Sequence, residues 1–191
     1  MLRKWMLPAM LVAGMSASAS DDYYQTEWDA KGLIGVEVGY MGTNFQKKGA
    51  QNIDDSYNVD KLTTSSASLG LKLGGETKHY RFFVEGRIWN TNEYNNGATG
   101  GIALQYLIPI DGESLNAFIG VNGGFIDVLD SDAWDPYLGG DLGVNFNMNR
   151  NFGIEVGLRY SGVDVADREY DKVNSFYQGY VSAIYKFTGD Y

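Results

Sequence analysis

Nine charged side chains fall between apolar, aromatic or glycine neighbours: Glu37, Lys72, Arg81, Glu85, Arg87, Asp141, Glu155, Arg159 and Lys186. Carboxylates and cations so placed do one of two things. In a confined interior they neutralise one another as ion pairs, or they line a path for ions. An unpaired charge in such a place is strongly destabilising. This predicts that Arg81, Arg87 and Arg159 pair with Glu37, Glu85 and Glu155 and plug the interior that holds them.

Other chemistry is poorly supplied. His79 is the only histidine, and no serine stands beside it, so the nucleophile–base pair of a hydrolase is missing and no catalytic residue is assigned. Asp127, Asp130, Asp132 and Asp135 could hold Ca²⁺ or Mg²⁺, but they lack the glycine-turned spacing of an EF-hand loop. They read as a solvated acidic loop, as do Asp54, Asp55 and Asp60. The glycine pairs 100–101, 123–124 and 139–140 lack the strand–glycine–helix context of a phosphate loop. Asn95-Asn96-Gly97 is a turn sequence. No metal and no cofactor is expected, and the role is expected to be non-enzymatic.

The elements that must position the charges show a period of two. Eight segments alternate apolar with small or polar residues, the mark of strands with two different faces. In 32–42, Ile34, Val36, Val38 and Tyr40 oppose Gly35, Glu37 and Gly39; in 63–74, Leu69, Leu71 and Leu73 oppose Ser68, Gly70 and Lys72. In 79–89, Tyr80, Phe82, Val84 and Ile88 oppose Arg81, Phe83, Glu85 and Arg87. The segment 98–108 and those led by Leu115, Leu138, Phe152 and Tyr177 keep the same parity. The connections are expected to alternate in length: about twenty residues, then about four, eight, six, nine, four and fourteen. Short turns such as 75–78, 110–113 and 147–150 would share one end, and long polar loops the other.

Which face is apolar decides the surroundings. A soluble barrel keeps its apolar face inside. Here the charges share their face with many glycines, which suits a narrow interior, and the opposite face is nearly uncharged. Aromatics on that apolar face fall at segment ends, as expected of residues at two membrane interfaces. Tyr80, Tyr106, Phe146, Phe152, Tyr185 and Phe187 would form a periplasmic girdle, and Tyr40, Phe125, Tyr160 and Tyr177 an outer one. In lipid, unpaired backbone amides cost several kcal/mol each, so the first and last strands must close on each other. The prediction is an all-β fold, a closed eight-stranded antiparallel up-and-down transmembrane β-barrel.

Composition bounds the rest. Arg3 and Lys4 precede an apolar run ending in Ala17-Ser18-Ala19, the order of a secretory signal peptide. Cleavage is expected after Ala19, leaving 20–31 as a short periplasmic segment and 32–191 as the barrel domain. The chain has no cysteine, which excludes disulfides and a cysteine-linked lipid anchor. Removing Arg3 and Lys4 from the 15 basic residues leaves 13 against 24 acidic ones, a net charge of −11. Nucleic-acid binding, which needs a basic footprint, is disfavoured.

The last segment, 178–187, reads Gln-Gly-Tyr-Val-Ser-Ala-Ile-Tyr-Lys-Phe and resembles the aromatic-ending signal that the barrel-assembly machinery recognises. With the eight alternating segments, the chain resembles the small outer-membrane β-barrel superfamily, the OmpA/OmpX-type eight-stranded barrels, over essentially the whole mature part. The resemblance implies an integral protein of the Gram-negative cell envelope, inserted by that machinery and surrounded by outer-membrane lipid and lipopolysaccharide. A monomer with a structural or surface-interaction role is expected. A narrow porin-like channel for ions or small solutes is the alternative.

Overall fold

The computed structural model describes residues 30–51, 57–90, 96–111, 114–128, 134–163 and 172–187. These form eight strands: β1 (Lys31–Gln51), β2 (Tyr57–Glu76), β3 (Tyr80–Asn90), β4 (Asn96–Asp111), β5 (Leu115–Val128), β6 (Asp135–Asn147), β7 (Phe152–Val163) and β8 (Lys172–Phe187). Each pairs antiparallel with the next, and β8 pairs with β1, so the sheet closes into a barrel. The connections after β2, β4 and β6 are three or four residues long, and the other four are five to eight. One barrel end therefore carries the short turns and the other the longer connections. At the short-turn end Asn149 Oδ1 accepts the backbone N–H groups of Asn151 and Phe152, both at 2.9 Å, an Asx turn that reverses the chain into β7.

The register sets the barrel's dimensions. Stepping across paired residues from Ile34 through Leu73, Val84, Ile102, Gly123, Leu138, Gly162 and Ser175 returns to β1 at Asn44, ten residues further along. With a rise of ~3.3 Å and a strand spacing of ~4.8 Å, eight strands with that stagger tilt by about 40° and enclose a radius of about 8 Å. An interior this narrow is filled by side chains.

The alternation read from the sequence is realised strand by strand. On β3 the pattern runs strictly exposed, then buried, from Val84 to Asn90. Apolar side chains point out, with Leu71 61% and Leu138 73% exposed, while Glu37 and Glu155 are fully buried. The polarity of a soluble barrel is thus inverted.

The connections after β1, β3, β5 and β7 are shorter than the expected twenty, eight, nine and fourteen residues, because the strands run further than the apolar alternation. The stretch after residue 42 was expected to be a loop of about twenty residues, yet β1 continues to Gln51 and β2 begins at Tyr57. The register is unbroken from Lys31↔Glu76 to Lys48↔Val59. Asp60, expected in a loop, therefore lies in β2, and Asn96, expected in a turn, opens β4. In the sequence the apolar alternation of the first segment stops after Tyr40, so nothing past it reads as strand. The expected signal peptide with its cleavage site at Ala19, and Asp54, Asp55, Asn95, Asp130 and Asp132, lie outside the described residues.

Tight curvature is met by glycine. A Cβ on Gly143, an inward position of β6, would stand inside van der Waals contact of Val156 O and Gly157 Cα on β7. Gly143→Ala is therefore expected to force β6 and β7 apart at a cost of about 1–3 kcal/mol, the usual range for overpacking. Urea unfolding of the protein in lipid vesicles checks this, and an unchanged midpoint would refute it.

Candidate functional site: the charged lumen

All nine charged residues singled out from the sequence point into the barrel, and every one is at most 3% exposed. Their positions follow from parity: each lies at an inward position of its strand. They meet because closure sets β1 beside β8 and the narrow lumen lets side chains of β2 and β3 reach those of β7 and β8.

Glu37 on β1 is the hub. Its carboxylate accepts from Arg87 Nε at 2.7 Å and Gln178 Nε2 at 2.9 Å, and is ion-paired with Lys72 Nζ at 2.8 Å and Arg159 Nη1 at 3.6 Å. Glu85 Oε2 receives Arg87 Nη2 at 2.5 Å and Arg159 Nη2 at 3.2 Å. Glu155 binds Lys72 at 3.0 Å through one oxygen and Arg81 at 2.5 Å through the other. Arg81 also holds Glu76 at 2.5 Å, and Glu76 takes Lys186 Nζ at 2.5 Å. Asp141 stands at the edge of the network, accepting from Gln105 Nε2 at 2.7 Å with Arg159 at 3.8 Å.

Five carboxylates thus face five cations: Glu37, Glu76, Glu85, Asp141 and Glu155 against Lys72, Arg81, Arg87, Arg159 and Lys186. A desolvated set of charges is tolerable when it is balanced and its members are hydrogen-bonded. Aromatic faces add to this: Tyr180 lies 4.3 Å from Lys72 Nζ and 4.9 Å from the Arg159 guanidinium carbon, and Phe83 lies 5.4 Å from Lys72 Nζ.

Sequence reasoning missed several members. Glu76 was read as a turn residue, although it continues the inward parity of Lys72 and Gly74. Gln178, buried on β8, ties Glu37 on the neighbouring β1, and Gln105, buried on β4, ties Asp141 two strands away on β6. Apolar layers within the lumen were also missed, although Phe83 has the inward face expected for it beside Arg81 and Glu85. Towards the longer connections Met41, Trp89, Ile126, Tyr137, Val173 and Phe176 form one buried cluster. Towards the short turns lie Leu33, Phe83, Ala103 and Ile184, and beside them Leu107, Phe118 and Tyr180. The signal was present: these residues continue the inward parity past the charges.

The aromatics assigned to girdles lie on the outer face near its two ends. Tyr80, Tyr106, Phe146, Tyr185 and Phe187 are exposed and Phe152 half-buried at the short-turn end; Tyr40, Phe125, Tyr160 and Tyr177 are exposed at the other. Tyr80 and Tyr106 pack edge to face at 5.4 Å, and His79 stacks on Tyr106 at 6.1 Å. Asp127 lies in β5 and Asp135 opens β6. Among the described residues no helix is long and apolar enough to cross a membrane, which leaves strands untouched as a means of crossing.

No protein-family model matches the chain, and no curated protein matches it. Solved structures do. Neisserial surface protein A (NspA) aligns with a TM-score of 0.57 at 14% identity over 84% of this chain and 99% of its own. Outer membrane protein H (OprH) of P. aeruginosa aligns at 0.56 and 20% identity over 82% and 99%. The outer membrane protein OprG of Pseudomonas aeruginosa aligns at 0.51 and 13% over 86% and 100%. The fold of this chain is that of the small eight-stranded outer-membrane barrels.

Proposed function

We propose that the chain is an integral protein of the bacterial outer membrane, exported through a cleaved signal peptide. Its lumen is sealed, and it serves the envelope through its structure and its outward-facing loops, without enzymatic activity. The observation that carries this reading is the inverted polarity: a balanced ion-pair network inside and an aliphatic band between two sets of aromatics outside. Such a wall is stable in hydrocarbon and unstable in water. The short-turn end faces the periplasm and the longer connections face outwards, as in bacterial barrels of this design. The immediate partners are outer-membrane lipid and lipopolysaccharide, with the barrel-assembly machinery acting during insertion.

Heat-modifiable gel mobility tests the membrane placement. The full precursor, expressed in a Gram-negative host, is expected in the outer-membrane fraction, and unboiled samples should migrate differently from boiled ones. Soluble periplasmic protein with unchanged mobility would overturn the reading. Conductance separates a sealed barrel from a channel. The lumen is crossed by a charge layer between apolar layers, so a planar bilayer holding the purified protein in concentrated KCl is expected to show no discrete current steps. Reproducible steps from the intact protein would establish the narrow channel instead.

A further inference from the structure

The barrel's outer wall is not uniformly filled. Between β4, β5 and β6 a cavity of about 470 Å³ opens on the lipid-facing side, centred on Gly123. This volume falls in the ~300–1,000 Å³ range of small-molecule sites. Ile102 and Phe125 wall it on one side and Val121 and Leu138 on the other.

Its floor is glycine. A Cβ at Gly100 would meet nothing within 4 Å, and one at Gly123 would meet only Tyr137 O at 3.3 Å and Leu138 Cδ1 at 3.4 Å. By contrast, a Cβ on the inward-facing Gly124 would collide with the backbone of Gly100 and Gly101. Gly124 is required by packing; at the outward Gly100 the wall leaves open space, and at Gly123 a methyl fits once Tyr137 O and Leu138 Cδ1 give by a few tenths of an ångström.

The cavity's direction narrows its occupant. Leu104 pairs with Val121, and Gly123 lies two residues further out on β5; Gly123 pairs with Leu138, and Pro136 lies two further out on β6. With strands tilted by about 40°, that diagonal offset cancels the tilt and sets Leu104 and Gly123 of the cavity, and Pro136 just beyond it, in line along the barrel axis, a track of about 16 Å. This is about half of a ~30 Å hydrocarbon core, the reach of a chain in one leaflet. Phe125, an aromatic of the outer girdle, places the cavity on the outer side.

We infer that this cavity seats one acyl chain of an outer-leaflet lipid, laid over Gly123 between Ile102/Phe125 and Val121/Leu138. The inference rests on the bilayer placement proposed above. It makes the protein a holder of one specific lipid chain, distinct from the fluid shell around the rest of the wall.

Native mass spectrometry tests it on the mature chain refolded into vesicles of phosphatidylethanolamine and lipid A, then moved gently into detergent. Wild type is expected to retain one preferred lipid adduct, whose mass tells which lipid supplies the chain. Gly123→Leu should fill the cavity and cut retention about tenfold, equivalent to roughly two methylenes of burial. Gly123→Ala, which adds only a methyl, should fall between the two, and Val38→Ala on β1 across the barrel should leave retention unchanged. Each variant is scored in its heat-modifiable form. Equal retention in all four inserted proteins overturns the seat while leaving the membrane placement standing, whereas protein that fails to insert at all overturns both. A doubled protein mass lost with Gly123→Leu would also overturn it, assigning the cavity to contact between two copies.

Discussion

Glu37→Ala is expected to destabilise the barrel by about 3–5 kcal/mol, the cost of breaking a buried pair and stranding its partners. Glu37 lies within 4 Å of Lys72, Arg87 and Arg159 and accepts from Gln178 as well. Arg87 keeps Glu85, and Lys72 keeps Glu155. The loss therefore falls on the balance of the whole layer, which becomes four carboxylates against five cations. Glu37→Gln preserves a hydrogen-bond acceptor and should cost less than the alanine change. Combining Glu37→Leu with Arg87→Leu should cost less than the sum of the two single changes, because neither is left facing an uncompensated partner. The measurement is the urea-unfolding midpoint in lipid vesicles, followed by tryptophan fluorescence. A change below about 1 kcal/mol for Glu37→Ala would show that water reaches this layer and screens it.

Leu71→Arg tests the opposite face. Leu71 is 61% exposed and pairs with Val36 and Gly86 in the middle of the apolar band. An arginine at the bilayer midplane of such a wall costs about 2–4 kcal/mol, falling to about 0–1 near the interfaces. Tyr80→Arg, at the girdle, should therefore be much milder. If the wall stood in water, both changes would lie within about 0.5 kcal/mol of neutral, as surface substitutions usually do. The same vesicle assay distinguishes the two patterns.

The strands and their two faces were legible in the sequence because burial has a period of two wherever one face meets lipid and the other the lumen. Arg81, Glu85 and Arg87 on a single strand already indicated an interior of ion pairs. What escaped followed from the same reasoning carried too far or stopped too soon. Charge marks only part of the interior: Leu33, Trp89, Phe118 and Phe176 share the inward parity, which their apolar character hides in the sequence. Glu76 was lost because its neighbours Gly75 and Thr77 have turn chemistry, and only the register with Arg81 shows that β2 runs on to it. The length of the β1–β2 hairpin was unreadable because the apolar alternation stops after Tyr40 while the backbone pairing runs on to Lys48↔Val59.

The ion pairs also have a kinetic side. Lys72 and Glu155 are 83 residues apart, Arg81 and Glu155 74, Lys186 and Glu76 110, and Gln178 and Glu37 141. Contacts this distant are rewarded only after a large loop has closed, and high contact order slows folding. Until β7 and β8 arrive, the carboxylates and cations of β1 to β3 are without their partners from the far end of the chain and stay hydrated. The residues that lock the finished interior are thus the ones that keep the unfinished chain wet, delaying its commitment until its last strand is in hand.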